Sequence, residues 1–142
     1  MEKPTQDLFE EHGGIILMLK IMGKVAERLK KGEEVKREHL NKIVEFLRNF
    51  ADKCHHGKEE GILFPEIAKN KFNVQMIYEF LGEHKSGRDY IRGIAEGLKD
   101  YETGNPEAYH IAKNMTGYIQ LLNHHIQEEN TKLFPTAEKN FL

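Results

Sequence analysis

The sequence predicts an all-α protein, an up-down-up-down antiparallel four-helix bundle, and three observations carry that prediction. Apolar residues recur at three- and four-residue steps through four long stretches of the 142-residue chain. The breaks between them are short and hold residues that stop or start helices, which makes antiparallel neighbours the economical arrangement. A weak internal repeat, set out below, makes the chain read as two copies of a helical hairpin.

The first helix is expected from about Thr5 to Lys31, closed by Gly32. The second runs from about Val35 to Lys69, with Asn70 as its stop. The third starts near Asn73 and fades at Thr103-Gly104. The fourth has the clearest start, because Asn105 can cap free backbone amides and Pro106 suits a first turn; its end frays around Asn140. Pro65 and Pro135 should kink or terminate the second and fourth helices. The length fits one domain, residues 1–142, large enough to bury a real core.

Bulk chemistry names no macromolecular partner. Lys and Arg number 21 against 23 Asp and Glu, mixed along the chain, so no basic stripe points to nucleic acid and no acidic tail to a docking segment. Charges at Glu2, Lys3, Asp7, Glu10 and Glu11 break the first segment, and no apolar run reaches the length of a bilayer span or signal core. The expectation is a soluble, cytoplasmic protein without nucleic-acid or membrane partners. One cysteine, Cys54, rules out an internal disulfide and a multi-cysteine zinc site. Eight histidines in so small a chain are the stronger clue.

Residues 55–65 read HHGKEEGILFP and residues 125–135 read HIQEENTKLFP; both fit H-x3-E-x3-LFP, with five identical positions at identical spacing. The shared frame selects His55 with Glu59 and His125 with Glu129. His12 precedes His55 by 43 residues, and His84 precedes His125 by 41. Helical spacing puts each of these on an apolar line. Val44, Leu47, Ala51, His55, Glu59 and Ile62 form one such line, and Ile111, Met115, Tyr118, Leu122, His125 and Glu129 another. His12 sits among Leu8, Phe9, Ile15, Ile16 and Leu19, and His84 among Ile77, Phe80, Leu81 and Ile91. The competing lines Arg48, Asp52, His56, Glu60 and Gln120, His124, Glu128, Thr131 are polar and should face water.

A lone histidine on an apolar face is usually a satisfied core residue. Four imidazoles and two carboxylates buried together are another matter, because without a partner each would cost a few kcal/mol. Two divalent cations would satisfy all six, with the carboxylates able to bridge, and mixed imidazole and carboxylate donors suit iron, manganese or zinc.

With FEEH around His12, LGEHKSGRDY around His84 and the two H-x3-E-x3-LFP blocks, nearly the whole chain resembles the hemerythrin-like, or HHE cation-binding, family. The resemblance implies a four-helix bundle with a non-haem di-iron centre in its core. His12, His55, Glu59, His84, His125 and Glu129 would be the ligands, Glu59 and Glu129 would bridge, and an oxo, hydroxo or water group would complete the bridge. The family's oxygen carriers have a second histidine one turn after the one on the third helix, where this chain has Arg88, and H-x4-D on the fourth helix, where it has H-x3-E. Losing that nitrogen frees a coordination position. The resemblance thus points to the broader members, which include oxygen and iron sensors and proteins of nitric oxide handling and iron-centre repair. Binding of oxygen or nitric oxide is the leading expectation. The alternatives are a di-iron enzyme reducing peroxide or nitric oxide or repairing iron centres, and a helical interaction module with structural metal.

Among neighbouring residues, Glu11 and Glu83 are expected on the surface, since adjacent helix positions diverge by about 100°. Cys54 is expected as a buried structural thiol, and Tyr118 as a core residue with a satisfied hydroxyl or a donor to a bound oxygen species. His39 and His110 should face solvent, and the Leu-Phe-Pro segments should close the apolar end of the bundle.

Overall fold

The structure is a computed structural model that describes residues 5–140, so the expected domain bounds fall outside the described residues. It is all-helical, with no strand among the described residues, and its helices pack as a bundle of four rods. The first rod is α1, Gln6–Lys30. The second begins as α2, Arg37–Phe46, passes through π-helical turns at Leu47–His56 and Glu59–Leu63, and resumes as α3, Phe64–Ala68. A 3-10 turn, Lys71–Asn73, leads into the third rod, α4, Val74–Lys99. The fourth is α5, Pro106–Glu128, π-helical turns at Glu129–Leu133, then α6, Phe134–Asn140.

The end signals act where the sequence put them, with one exception. Gly32 and Gly104 take φ of 75°, a left-handed turn that favours glycine. The Asn70 and Asn105 side chains accept from the amides of Phe72 and Ala108 at 3.0 Å. The third rod stops at Lys99, short of Thr103. There the Arg37 guanidinium takes the carbonyls of Leu98 and Tyr101, and the Tyr101 hydroxyl donates to the Val35 carbonyl at 2.6 Å. The first of these bonds gives the Leu98 carbonyl, in the last turn of α4, a partner outside the helix.

Neither inner proline terminates its rod. A proline ring in an α-helix collides with the carbonyl four residues back, which for Pro65 is Gly61 and for Pro135 is Thr131. Both carbonyls lie inside a π-helical turn, where bonding is wider, and the chain returns to α geometry one residue before each proline.

The wider turns also change which residues face inward. On every rod two apolar groups flank a polar layer. The larger runs over Ile15–Leu29 of α1, Leu40–Ala51, Ile91–Leu98 and Ala108–Ile126. The smaller contains Leu8, Leu63, Phe64, Phe80, Leu133 and Phe134, so both Leu-Phe-Pro segments pack at one end. Fully burying such a side chain contributes about 1.5–3 kcal/mol, and the two layers together hold the polar one in place. Ile62, expected in the core, is 71% exposed, and Phe9 also lies outward. Leu63 takes the inward place that α-helical stepping gives to Ile62.

Candidate metal centre

His12, His55, Glu59, His84, His125 and Glu129 all lie in the layer between the two apolar groups, each at most 2% exposed. Their positions follow from the rods: His12 lies between Leu8 and Ile15, His55 and Glu59 between Ala51 and Leu63, and His84 between Phe80 and Ile91. The structure adds His56, which was expected to face water and is 4% exposed. Both members of the His55-His56 doublet, at the end of the π-helical turns Leu47–His56, face in. In the second copy, α-helical up to Glu128, the shared frame sets Ile126 in the place of His56 and His124 in the place of Cys54; Ile126 is buried and His124 is 63% exposed. Cys54 is exposed like its counterpart His124, correcting the expected buried thiol.

Donor atoms converge into two groups that share Glu59. One is His56, Glu59, His84 and His125; the other is His12, His55, Glu59 and Glu129; within each, the donor atoms all lie within 4.8 Å of one another. Glu59 spans the groups, with Oε1 3.1 Å from His84 Nε2 and Oε2 3.6 Å from His55 Nε2. Glu129 reaches His12 Nε2 at 3.0 Å and His125 Nε2 at 3.2 Å.

The outer faces of the imidazoles are held by oxygens. His55 Nδ1 donates to Glu11 at 2.9 Å, His84 Nδ1 to Glu60 at 2.8 Å, His125 Nδ1 to Glu83 at 2.8 Å and His12 Nδ1 to Asn130 Oδ1 at 2.8 Å. His56 Nδ1 is 3.7 Å from Asp52. An oxygen acceptor on Nδ1 fixes the proton there and turns the Nε2 lone pair inward, the tautomer that binds metals. Glu11 and Glu83, expected on the surface, are therefore part of the site at 16% and 26% exposure. The sequence signal for them was their place immediately before His12 and His84: each reaches across to the neighbouring rod's histidine rather than to the one beside it.

Inward lone pairs create a problem that a cation solves. Buried His55 Nε2, His56 Nε2, both Glu59 oxygens and Glu129 Oε2 have no hydrogen-bond partner, although they lie within one layer. His84 Nε2 faces His125 Nε2 at 3.1 Å. Burial, then the charge of His12, pushes His55 down to about 4, and burial also lowers His56 and His84. Burial, then the charge of Glu129, holds Glu59 well above the usual carboxylate range. Against burial, the charge of His125 and bonds from its neighbours hold Glu129 well below that range, and Glu129 in turn raises His125 to about 9. The inward lone pairs and carboxylate oxygens are a donor set that fits divalent metal.

Tyr118 is fully buried beside Gly87, and its hydroxyl has no partner, in place of the satisfied core hydroxyl expected. Burial, then the negative charge of Asp52, raises its pKa further. Arg88 does not point into the cluster; it pairs with Asp52 and Glu60. No described helix is long and apolar enough to cross a membrane.

Comparison with known proteins agrees with this geometry. Residues 3–137 match the family described as the hemerythrin HHE cation binding domain. Three uncharacterized proteins, one from Mycobacterium bovis and two from strains of Mycobacterium tuberculosis, are 25% identical over 131 residues. The match covers 92% of this chain and 51% of each relative, so the chain spans about half the length of the curated relatives it matches. No solved structure gives a significant match. With the family match covering almost every residue, and both repeated histidine-glutamate blocks in one buried layer, the chain belongs to the hemerythrin HHE cation-binding domain family.

Proposed function

We propose that this chain is a non-haem di-iron protein that binds a small diatomic ligand, oxygen or nitric oxide, for sensing, storage or detoxification. It forms a single domain whose rods run up-down-up-down as antiparallel neighbours. The pairings of Thr5 with Glu138, Lys30 with Thr116, and His84 with His125 support that arrangement. Iron is favoured by the mixture of five imidazoles and two carboxylates, with manganese and zinc as the other metals such donors take.

In this reading one ion is held by His56, His84 and His125, the other by His12 and His55, and Glu59 and Glu129 lie between them. His56 takes up the coordination that Arg88, standing where the family's oxygen carriers have a histidine, leaves unfilled. The observation that carries the proposal is the set of buried, unpartnered nitrogen and oxygen atoms in one layer. Bound iron would supply electron transfer and a coordination position for the diatomic ligand. The chain's own residues do the rest. Glu11, Glu60, Glu83 and Asn130 hold the imidazole protons on the outer nitrogens. Phe64 and Phe134 on one side, and Ile15, Ala51 and Leu122 on the other, keep water from the layer.

The test is the metal content and visible spectrum of the purified protein, before and after azide, and after air is admitted to the reduced form. Two irons per chain and a charge-transfer band that moves with added ligand support the proposal. Zinc, no metal, or an iron spectrum indifferent to every ligand contradicts it. Continued consumption of peroxide or nitric oxide with a reductant, in place of saturation, would instead support the enzyme reading.

A further inference from the structure

The hydrogen bonds around the cluster form two clamps that share no residue. In the first, Arg88 Nε donates to Asp52 Oδ1 at 2.9 Å and Arg88 Nη2 donates to Glu60 Oε2. That same Glu60 oxygen accepts from His84 Nδ1 at 2.8 Å, and Asp52 Oδ1 is 3.7 Å from His56 Nδ1. The rings of His56 and His84 stack with centroids 3.8 Å apart and planes 15° from parallel. In the second clamp, Lys58 Nζ donates to Glu11 Oε2 at 2.6 Å, and Glu11 Oε1 accepts from His55 Nδ1 at 2.9 Å.

We propose that Arg88 is a positioning residue for one metal position only, the one lined by His56, Glu59, His84 and His125, while Lys58 positions the other through Glu11 and His55. This rests on reading the cluster as a two-metal centre. The chemistry of the two clamps matches their tasks. Asp52 and Glu60 stand eight residues apart on the second rod. A planar guanidinium with donors on both Nε and Nη2 holds two such carboxylates at once, which a single ammonium at the end of a flexible stem does not fix. Glu11 needs one donor on its free oxygen, and Lys58 supplies it. Arg88 is 39% exposed, so its ion pairs contribute little to stability, and their consequence is the orientation of two imidazoles.

Anaerobic equilibrium dialysis of the full chain with ferrous ion tests the inference. The wild type is expected to bind two ions. R88Q should keep one position at wild-type affinity and weaken the other about tenfold, the lower end of what loss of an outer partner does to a metal site. K58Q should weaken one position likewise, and R88Q with K58Q should weaken both. R88Q added to H56A should weaken that same position by less than R88Q does alone, because only His84 is left for Arg88 to orient, and should leave the other position unchanged. Unchanged affinities in R88Q, or equal weakening of both positions, overturn the inference. Should R88Q fail to fold, the D52N/E60Q variant removes the two carboxylate charges that Arg88 bridges and keeps Arg88; it is expected to show the same selective loss, and unchanged affinities there overturn the inference too. A wild type that binds fewer than two ions contradicts the two-metal reading itself and this inference with it. Two ions in the wild type with R88Q unaltered contradict this inference alone.

Discussion

Replacing Glu59 by leucine should make the metal-free protein more stable and the metal-loaded protein less so. Glu59 is fully buried, and neither oxygen has a hydrogen-bond partner; its 3.1 Å approach to His84 lacks the alignment of a bond. Leaving a buried polar atom unsatisfied costs about 1–3 kcal/mol, so two such oxygens cost about 2–6 kcal/mol. Leucine removes both, with a shape mismatch of up to about 1.5 kcal/mol. With the full mismatch subtracted, the expected net gain is about 0.5–4.5 kcal/mol, or a rise in Tm of roughly 2–13 °C for a chain of this size. With ferrous ion the sign reverses. At a hundredfold excess over Kd, each filled site adds about 2.7 kcal/mol to the wild type by linkage, and the leucine variant loses the residue common to both donor groups. Thermal melts followed by circular dichroism, in chelator and in anaerobic ferrous ion, read both halves. An E59L protein that melts below the wild type in chelator would refute the reasoning, because Glu59 would then be a satisfied structural group.

Three further outcomes follow from the same geometry. His56→Ala should lower bound metal clearly while His124→Ala leaves it near the wild-type value, since His56 is 4% exposed within a donor group and His124 is 63% exposed; metal analysis after dialysis decides, and equal values would contradict a place for His56 in the donor set. Tyr118→Phe should stabilise the metal-free protein by about 1 kcal/mol by removing a buried hydroxyl with no partner, and a lower urea midpoint would contradict this. Gly97→Ala should cost about 1–3 kcal/mol, because a Cβ there meets Ile111 Cγ1 at 2.7 Å in a fully buried contact between α4 and α5; an unchanged midpoint would mean that the contact has room to give.

Much of this protein is legible in its sequence because α-helical periodicity and end signals are local. The Asn105-Pro106 start and the turns at Gly32 and Gly104 need no knowledge of tertiary contacts. The H-x3-E-x3-LFP repeat likewise points to residues that the fold brings into one layer. What escaped was the register of the second rod. Six of its buried residues, Leu47, Ala51, His55, Glu59, Leu63 and Ile67, step by four, with His56 and Phe64 buried beside them. In an α-helix each step of four drifts about 40°, so five steps drift about 200° and cannot stay on one face. An unbroken run of fours was therefore a readable sign of π-helical turns. Stepping by three after Glu59 instead put Ile62 inside, while His56 was left in the water and Cys54 in the core. Glu11 and Glu83 were missed for a different reason: each binds a histidine on another rod, a relation between helices that spacing along one helix does not contain.

We infer that five histidines and two glutamates, gathered in one buried layer of the bundle, form a centre for two metal ions. A crystal structure of the protein loaded anaerobically with ferrous ion, with anomalous differences measured at the iron edge, tests it most directly. Two peaks about 3.5–4 Å apart are expected between Glu59 and Glu129, with His56 coordinating one of them and Arg88 neither. A single peak, peaks only at the protein surface, or a His56 ring turned away from both ions would contradict it.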